Sequence, residues 1–200
     1  MAKPKFKGAV VIDQVAPKPL FKDKYWGKIF KGVEKGYCAM LFAEPGTGKT
    51  TFLLDFAQHN ASKLKYKVAY ISFEQIRNTP QFGWQAIPTF KNLVNRKQAT
   101  HPNIGYFGFL PKLSQFDLVI IDSVNNHLDS DQLETLVRNN PNTDFIFVFQ
   151  MTKDGKFKGG KADEHLMDLV LKGEKTEDGK SIISATKNRF GVSEEVRVRF

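Results

Sequence analysis

Residues 37–57 read YCAMLFAEPGTGKTTFLLDFA and decide the fold of this chain. They begin with an apolar run, pass through a glycine-bearing loop, and continue into an amphipathic run with apolar residues at helical spacing. A strand, a glycine loop, Gly-Lys-Thr and a helix in this order form the Walker A context, which predicts a phosphate-binding P-loop. The alternative is a strand–turn–helix that contains Gly-Lys-Thr by chance.

Each part of this stretch matches a requirement of phosphate binding. Glycines let backbone N–H groups point inward, and the helix N-terminus adds the positive end of a dipole. Lys49 supplies a charge for the β- and γ-phosphates of ATP, and the Thr50 hydroxyl can ligate Mg²⁺. Ala43 departs from the motif, which has glycine there, and alanine does not adopt positive φ freely. The predicted ATP-binding residues are Glu44, Pro45, Gly46, Thr47, Gly48, Lys49, Thr50 and Thr51.

Size and composition narrow the class of protein. The 200 residues suit one domain, and the hydrophobic fraction of 41% and charged fraction of 26% are ordinary for a globular protein. No apolar run is long enough for a membrane span or a signal peptide, so we expect a cytoplasmic protein without a membrane partner. Cys38 is the only cysteine, which predicts neither a disulfide framework nor a cysteine-based zinc site. The net charge of +9 favours an anionic partner such as nucleic acid, although lysine-rich surfaces also serve solubility.

Three further apolar runs end in polar residues. Residues 68–73 lead to Glu74, residues 116–121 lead to Asp122, and the run that begins at Asp144 ends at Gln150. Continuous apolar runs are typical of parallel strands buried on both faces, and ligands bind at the carboxyl ends of such strands. We therefore expect these three side chains to lie near the P-loop.

The three strand ends differ in chemistry. Glu74 is the candidate base for an attacking water, Asp122 is a Walker B candidate that would hold Mg²⁺ opposite Thr50, and Gln150 can hydrogen-bond a γ-phosphate. For Glu74 and Gln150 the alternative is an ordinary strand-end side chain. The Walker B interpretation is supported because Asp122 follows the Walker A segment by about seventy residues.

Residues 152–163, TKDGKFKGGKAD, form a loop by composition. Lysines around one aromatic ring suit contact with a phosphate backbone and stacking on a base, and the alternative is a solvated loop. The predicted nucleic-acid contacts are Lys153, Lys156, Phe157, Lys158 and Lys161.

The two ends of the chain complete the predicted organisation. Residues 1–35 are expected to form an N-terminal leader that packs on the core and includes a candidate strand at residues 10–12. Residues 36–200 are expected to form one domain, whose end contains a β-hairpin and a last strand at residues 192–200. Helices are expected after the P-loop and at two further stretches, residues 90–98 and 129–139. The predicted fold class is α/β, with a mainly parallel central sheet, helices on both faces and a C-terminal β-hairpin.

Together these landmarks resemble the RecA-fold ATPases, and most closely the ATPase core of the bacterial RadA (Sms) family. The resemblance covers roughly residues 36–200 and rests on PGTGKTTFLLDFA, YISFE, LVIIDS, TKDGKFKGGKADEHLMDLVL and TKNRFG. It implies ATP and Mg²⁺ as ligands, single-stranded DNA as a partner, and a homo-oligomer, either ring or filament, with ATP sites between subunits. It also implies that Lys49 and Thr50 bind phosphate and Mg²⁺, that Glu74 activates water, and that Asp122 is the Walker B acid.

The same resemblance covers three more sites. Gln150 lies where RecA and DnaB-type helicases place a γ-phosphate-sensing glutamine, whereas RadA proteins usually have histidine there. The loop at residues 152–163 falls where RecA has a DNA-binding loop. Lys187 and Arg189 fall where related proteins insert basic residues into the neighbouring subunit's ATP site, and the alternative is a pair of surface salt bridges. The four-cysteine zinc element and the Lon-protease-like domain of RadA proteins are not found in this sequence, so branch migration is not implied.

The favoured hypothesis is DNA-stimulated ATP hydrolysis by an oligomer in recombination, repair or replication. One alternative is a KaiC-like ATP-dependent regulatory or assembly protein that binds no nucleic acid. The other is a DnaB-like ring helicase. The basic loop and the charge of +9 favour DNA over the regulator, and the lack of an accessory domain in the sequence speaks against the helicase.

Overall fold

The computed structural model describes residues 18–152 and 154–198. The candidate strand at residues 10–12 and the side chain of Lys153 lie outside these described residues. In chain order the strands are β1 Cys38–Ala43, β2 Val68–Ser72, β3 Ile76–Thr79, β4 Gly83–Ala86, β5 Ile104–Phe107, β6 Leu118–Asp122, β7 Asp144–Gln150, β8 Leu169–Lys175, β9 Ser181–Asn188 and β10 Val196–Arg197. The α-helices are α1 Trp26–Ile29, α2 Lys49–His59, α3 Pro88–Arg96, α4 Ser130–Asn139 and α5 Lys161–Leu166.

The centre of the molecule is an eight-stranded sheet with the strand order β10-β9-β8-β1-β7-β6-β2-β5. The strands from β8 to β5 in this order run parallel, β9 is antiparallel to β8, and β10 is antiparallel to β9. This confirms the predicted mainly parallel sheet and the C-terminal hairpin. Parallel register places Ala43 beside Gln150 and Ser72 beside Asp122. The ends of these strands therefore share one side of the sheet, here named the carboxyl edge.

Helices cover both faces of the sheet, as predicted. The larger apolar core includes Trp26 of α1, Phe56 of α2 and Phe90 of α3. The core on the other face includes Leu133 of α4. Because both faces are covered, every residue of β1 and β6 is buried, which explains their continuous apolar sequences. None of the helices in the described part of the chain is long and apolar enough to cross a membrane.

The described part of the predicted leader packs on α2. The Trp26 ring meets the Phe56 ring edge-on at 4.9 Å, and Phe30 stacks on Phe56 at 4.5 Å. Asp23 Oδ1 accepts a hydrogen bond from the Trp26 N–H at 2.7 Å, which fixes the start of α1. Burial of each such ring stabilises the fold by about 1.5–3 kcal/mol. The division into residues 1–35 and 36–200 stays a prediction.

Three stretches differ from the sequence-based expectation. β3 and β4 form a hairpin where no regular element was predicted. Of the strand expected at residues 192–200, the described part up to residue 198 contains only the two residues of β10, and residues 199–200 lie outside the described residues. The loop expected at residues 152–163 ends in α5, because Asp163 Oδ2 accepts a hydrogen bond from the Gly160 N–H at 2.8 Å at the start of that helix.

A buried carboxylate opens β7 at the edge opposite the P-loop. Asp144 is 0% exposed, and its Oδ1 accepts a hydrogen bond from the Gly36 N–H at 2.6 Å. Its Oδ2 has no hydrogen-bond partner among the described residues. Burial raises the pKa of Asp144 from 3.8 to about 7, and Asp117 adds to the rise, while the Gly36 N–H and Lys35 oppose it. The folded state therefore binds this proton more tightly than the unfolded chain does.

The raised pKa of Asp144 should make stability depend on pH. Its contribution is fully present below the unfolded pKa near 3.8 and is lost as pH rises through about 7. Between pH 5 and pH 8 the free energy of unfolding should therefore fall more in the wild type than in Asp144→Asn, by about 2 kcal/mol. Urea titration of both proteins at both pH values measures this difference. Equal falls would mean that Asp144 stays ionised in the fold.

Candidate functional site

The P-loop turns at the carboxyl end of β1. Gly46 and Gly48 have φ values of +77° and +80°, a region that glycine enters without steric cost. Lys49 follows directly as the first residue of α2, so the free N–H groups of the helix N-terminus lie at the loop. The Thr47 hydroxyl donates a hydrogen bond to the Glu44 carbonyl at 2.7 Å, which braces the turn. The strand, the glycine turn and the helix start thus follow one another as the sequence predicts, and phosphate binding at this loop stays a prediction.

Ala43, the departure from the Walker A pattern, is accommodated by a neighbouring strand. It is the last residue of β1 and is not among the residues with positive φ, so the expected difficulty with positive φ does not arise. Its register partner in β8 is Gly173. A methyl group on Gly173 would come 2.7 Å from the Ala43 Cβ, which is closer than two carbon atoms pack. The absence of a side chain at Gly173 therefore leaves the space that the Ala43 methyl occupies.

The Lys49 ammonium lies within the loop. Its Nζ donates hydrogen bonds to the carbonyls of Ala43 at 2.8 Å and Glu44 at 3.0 Å. Burial lowers the pKa of Lys49, and the negative charges of Asp122 and Glu74 oppose this shift. The lysine and the two predicted acids thus interact electrostatically, as the expected site requires.

Thr50 and Asp122 meet at a hydroxyl that the sequence-based prediction did not include. The Tyr70 hydroxyl donates a hydrogen bond to Asp122 Oδ2 at 3.0 Å and also makes a side-chain hydrogen bond with Thr50. Tyr70 is fully buried in β2. Burial raises the pKa of Asp122, and the hydrogen bond from Tyr70 opposes the rise. Thr50 and Asp122 thus share Tyr70 as a partner, and a hydroxyl and a carboxylate are oxygen ligands of the kind that Mg²⁺ prefers, so their chemistry fits the expected ion.

Two of the predicted strand-end side chains contact each other. Gln150 Nε2 donates a hydrogen bond to Glu74 Oε1 at 3.3 Å. Strand β6 lies between their strands, so they meet across the end of the strand that carries Asp122. The structure thus brings together Glu74, Gln150, Asp122, Thr50 and Lys49 at the carboxyl edge.

The basic loop, residues 151–161, is attached to the end of β7. Lys158 N–H donates to the Gln150 carbonyl at 2.7 Å, and Met151 forms a β-bridge with Phe157. Asn125, which the sequence-based prediction did not include, connects Gln150 with Lys158. Its Oδ1 accepts a hydrogen bond from the Gln150 N–H at 2.6 Å, and its Nδ2 donates one to the Lys158 carbonyl. The position of the basic loop is therefore coupled to that of Gln150.

Phe157 of the basic loop packs against two other rings. Its ring lies 5.8 Å from the ring of Phe42 and 5.8 Å from that of Phe149, and the residue is half buried. It covers the apolar ends of β1 and β7, and a base could stack only on the part of the ring that stays exposed, so the stacking role stays a prediction. The exposed lysines of the described basic loop are Lys156, Lys158 and Lys161.

A cavity of about 470 Å³ lies beside the basic loop. Lys156, Lys161 and Lys172 give it a positive lining, which Glu164 partly offsets. Phe42 contributes to its apolar floor. Positive charge is therefore concentrated on this side of the carboxyl edge.

A lysine that was not predicted lies next to the P-loop. Lys175 ends β8 at the carboxyl edge. A methyl group on Gly46 would lie 3.5 Å from Lys175 Nζ, so the ammonium is close to the turn that would hold phosphate. Lys175 therefore adds a second positive charge beside the loop that contains Lys49.

Lys187 and Arg189 lie at the other edge of the sheet. The Arg189 guanidinium pairs with Asp168 Oδ1 at 3.1 Å, and Lys187 Nζ donates to a backbone carbonyl of α5 at 2.6 Å. These contacts are at the level of Leu169, whereas the P-loop lies beside Gly173, about 13 Å along β8 at 3.3 Å per residue. The sheet therefore does not bring either residue to the phosphate site of its own chain.

Comparison with known proteins gives relatives at low identity. No protein-family model matches the chain. It is 29% identical over 191 residues to the DNA repair protein RadA of Chlamydia pneumoniae, which covers 86% of this chain and 41% of the relative. It is also 29% identical over 189 residues to the protein of the same name from Aquifex aeolicus, which covers 84% of this chain and 40% of the relative. The chain thus spans about two fifths of the length of these relatives.

Among solved structures, the chain is similar to a KaiC-like protein from the archaeon Pyrococcus horikoshii. The TM-score is 0.63 at 15% sequence identity, and the match covers 87% of this chain and 90% of that one. At this identity the likeness concerns the fold, and it agrees with the parallel sheet and flanking helices described above. The chain therefore has a RecA fold with a P-loop and is related to the RadA proteins.

Proposed function

We propose that this protein hydrolyses ATP and acts on DNA, in recombination, repair or replication, as an oligomer. The observation that carries the proposal is the meeting of Lys49, Thr50, Asp122, Glu74 and Gln150 at one edge of the sheet. The similarity to proteins named for DNA repair and the basic loop at the same edge support DNA as the partner.

In the proposed reaction each side chain has one task. Lys49 stabilises negative charge on the β- and γ-phosphates of the substrate, and Thr50 and Asp122 would hold Mg²⁺. Bound Mg²⁺ would neutralise charge on the phosphate oxygens. Glu74 accepts the proton of the attacking water, and Gln150 orients the Glu74 carboxylate through the hydrogen bond at 3.3 Å.

Gln150 offers a connection between the substrate and the basic loop. Its side-chain amide can donate either to Glu74 or to a γ-phosphate oxygen, and its backbone is bonded to Lys158 and Asn125. A change of partner at the amide would shift the end of β7 and with it the basic loop. We propose this as the route by which ATP and DNA influence each other.

The oligomer is proposed because Lys187 and Arg189 lie far from the phosphate site of their own chain. If these cations stabilise the transferring phosphoryl group, they must do so in a neighbouring subunit. The contacts of Arg189 with Asp168 fit the alternative of a structural pair equally well. Subunit mixing distinguishes the two.

A second candidate is an ATP-dependent regulatory or assembly protein that binds no nucleic acid. The KaiC-like structural neighbour favours it, since that protein matches over most of both chains. The two candidates share the ATP site and differ in the role of the basic loop.

The ATP hydrolysis rate with and without single-stranded DNA tests the proposal. We expect the wild type to hydrolyse ATP and single-stranded DNA to raise its rate. Lys49→Ala should bind or hydrolyse ATP poorly in both conditions, because the phosphates lose their main counter-charge. Normal hydrolysis by Lys49→Ala would contradict the P-loop assignment. If DNA does not change the hydrolysis rate and the protein does not bind DNA, the results would favour the second candidate, a regulatory or assembly protein.

Replacing the lysines of the basic loop should weaken DNA binding and reduce its salt dependence. For a single strand, each lysine–phosphate interaction that is removed lowers the log–log slope of affinity against salt by about 0.7. Binding is measured by fluorescence anisotropy across a salt series. The variant replaces four residues with glutamine, Lys153, Lys156, Lys158 and Lys161.

A matched control removes the same charge elsewhere. It replaces four exposed lysines outside the loop, Lys22, Lys24, Lys63 and Lys65. The control should keep the wild-type slope. Equal slopes in the wild type and the loop variant would mean that the basic loop is only a solvated surface.

A further inference from the structure

The hairpin of β3 and β4 stands next to the candidate base. It begins two residues after Glu74, and the Ile87 N–H closes its base by donating to the Gln75 carbonyl at 2.8 Å. It forms a two-stranded sheet separate from the central one. Because β2 and β5 run parallel, the hairpin and the segment after Phe107 both lie at the carboxyl edge. The hairpin therefore shares an edge with the P-loop and the basic loop.

Large apolar side chains are exposed at this place. Phe82 is 70% exposed, Trp84 46%, Phe109 42% and Leu110 38%. Among the described residues, only Val192 is a further large apolar side chain with comparable exposure. We name these four residues the aromatic patch. Exposed apolar surface concentrated in one place marks a binding surface more often than a chance feature.

The rings of the aromatic patch are held in place by the fold. The Trp84 ring lies against the backbone of Gly108, where an added methyl group would come 2.3 Å from a ring carbon. It also lies 5.2 Å from the Phe109 ring. Phe109 in turn meets Phe107 edge-on at 5.9 Å. Trp84 is thus supported by the protein while about half of its surface stays open, which lowers the entropic cost of binding.

The hairpin itself carries no negative charge. Residues 75–86 contain one cation, Arg77, and no carboxylate, and their other polar side chains are mostly amides. Three carboxylates lie nearby, since Glu74 directly precedes the hairpin and Asp129 and Asp131 line a cavity with Leu110. Exposed rings among amide side chains form a surface on which bases of a single strand can stack.

The geometry points to the aromatic patch as a second contact for single-stranded DNA, in which bases stack on Trp84 and Phe82 while the lysines of the basic loop hold the phosphates. This inference rests on the proposed function. Only β6 separates β2 from β7, so the two strand ends lie about 10 Å apart, and Glu74 and Gln150 already touch across that gap. A single strand that crosses the carboxyl edge contacts both the aromatic patch and the basic loop.

Trp84 can report on this contact by its own fluorescence. The chain has two tryptophans, and the other, Trp26, is buried. In the full chain carrying Trp26→Phe, oligothymidylate should quench the emission of Trp84, because a stacked base quenches indole. Circular dichroism verifies that this variant keeps the fold.

Affinity measurements test the same contact without a fluorescent reporter. Phe82→Ala combined with Trp84→Ala should raise Kd about 5- to 150-fold for each base that no longer stacks, with the salt slope unchanged. Trp84→Phe retains a ring and should recover part of the affinity. Val192→Ala, which removes an exposed apolar side chain elsewhere, should bind as the wild type does.

Each outcome has a separate meaning. One outcome is that the wild type binds DNA in the anisotropy assay while Trp84 is not quenched and the alanine variant binds as tightly. That result overturns the inference and leaves the proposed function standing. Absence of any DNA binding by the wild type overturns the DNA part of the proposed function and the inference together. A third outcome is that, without DNA, Trp84 emission changes with protein concentration and light scattering detects a larger species. That result also overturns the inference, because the aromatic patch is then a self-association surface.

Discussion

Replacing Glu74 with glutamine should leave ATP binding intact and slow ATP hydrolysis by about 10²–10⁴-fold. The amide cannot accept the proton of the attacking water, whereas the P-loop, Lys49 and Thr50 are unchanged. Glutamine is close in shape to glutamate, so the fold and the neighbouring Asp122 should be undisturbed. Titration calorimetry measures binding and phosphate release measures turnover.

Two further variants sharpen this result. Glu177→Gln removes an exposed carboxylate at the hairpin turn between β8 and β9 and should keep wild-type turnover. Gln150→Ala removes the amide that contacts Glu74, so it should slow turnover in the wild type and have little effect in Glu74→Gln. Unchanged turnover in Glu74→Gln would assign water activation to another residue.

Mixing Arg189→Ala with Lys49→Ala should restore ATP hydrolysis that neither variant has alone. A cation supplied by a neighbouring subunit contributes about 10³–10⁵-fold in rate. In an oligomer of one variant alone, every ATP site lacks either Lys49 or the neighbour's Arg189 side chain. In a mixed oligomer, some interfaces combine an intact Lys49 with an intact Arg189. Crosslinking first verifies that the two variants assemble together.

The ion pair of Arg189 with Asp168 supplies the control for this experiment. Asp168→Asn removes the acid that holds the arginine within its own chain, and it also weakens the acceptor of the Cys38 N–H. If Arg189 has only a structural role, Asp168→Asn should lower stability and activity as Arg189→Ala does. In that case mixed oligomers should regain no activity. Recovery in the mixture would show that the arginine acts on the neighbouring ATP site.

The fold and the centre of the site could be predicted because each depends on contiguous sequence. The Walker A stretch carries the strand, the loop and the helix start together. Glu74, Asp122 and Gln150 were found because parallel strands bring their carboxyl ends to one edge. The contact between Glu74 and Gln150 itself required the strand order, which no local pattern specifies.

The residues that were not predicted depend on contacts between distant segments. Tyr70 lies four residues before Glu74 in an apolar run, and only the register of β2 with β6 shows that its hydroxyl reaches Asp122. Asn125 follows Walker B without any distinguishing pattern. Phe157 has the sequence context of an exposed loop, yet its ring covers the ends of two buried strands. The hairpin of β3 and β4 was not predicted because most of its residues are exposed, so no apolar alternation indicates it.

The pairing of Ala43 with Gly173 means that the Walker A pattern of this chain extends beyond its own eight residues. One methyl group fits between β1 and β8, and it can belong to either strand but not to both. A glycine at position 43, the usual residue of the motif, would relieve the constraint on position 173, and an alanine at 173 would then be tolerated. Among relatives, we therefore expect alanine at position 43 to occur with glycine at position 173, and alanine at position 173 to occur only with glycine at position 43. A motif search that reads only the loop would miss such P-loops, whereas one that weighs both strands would retain them.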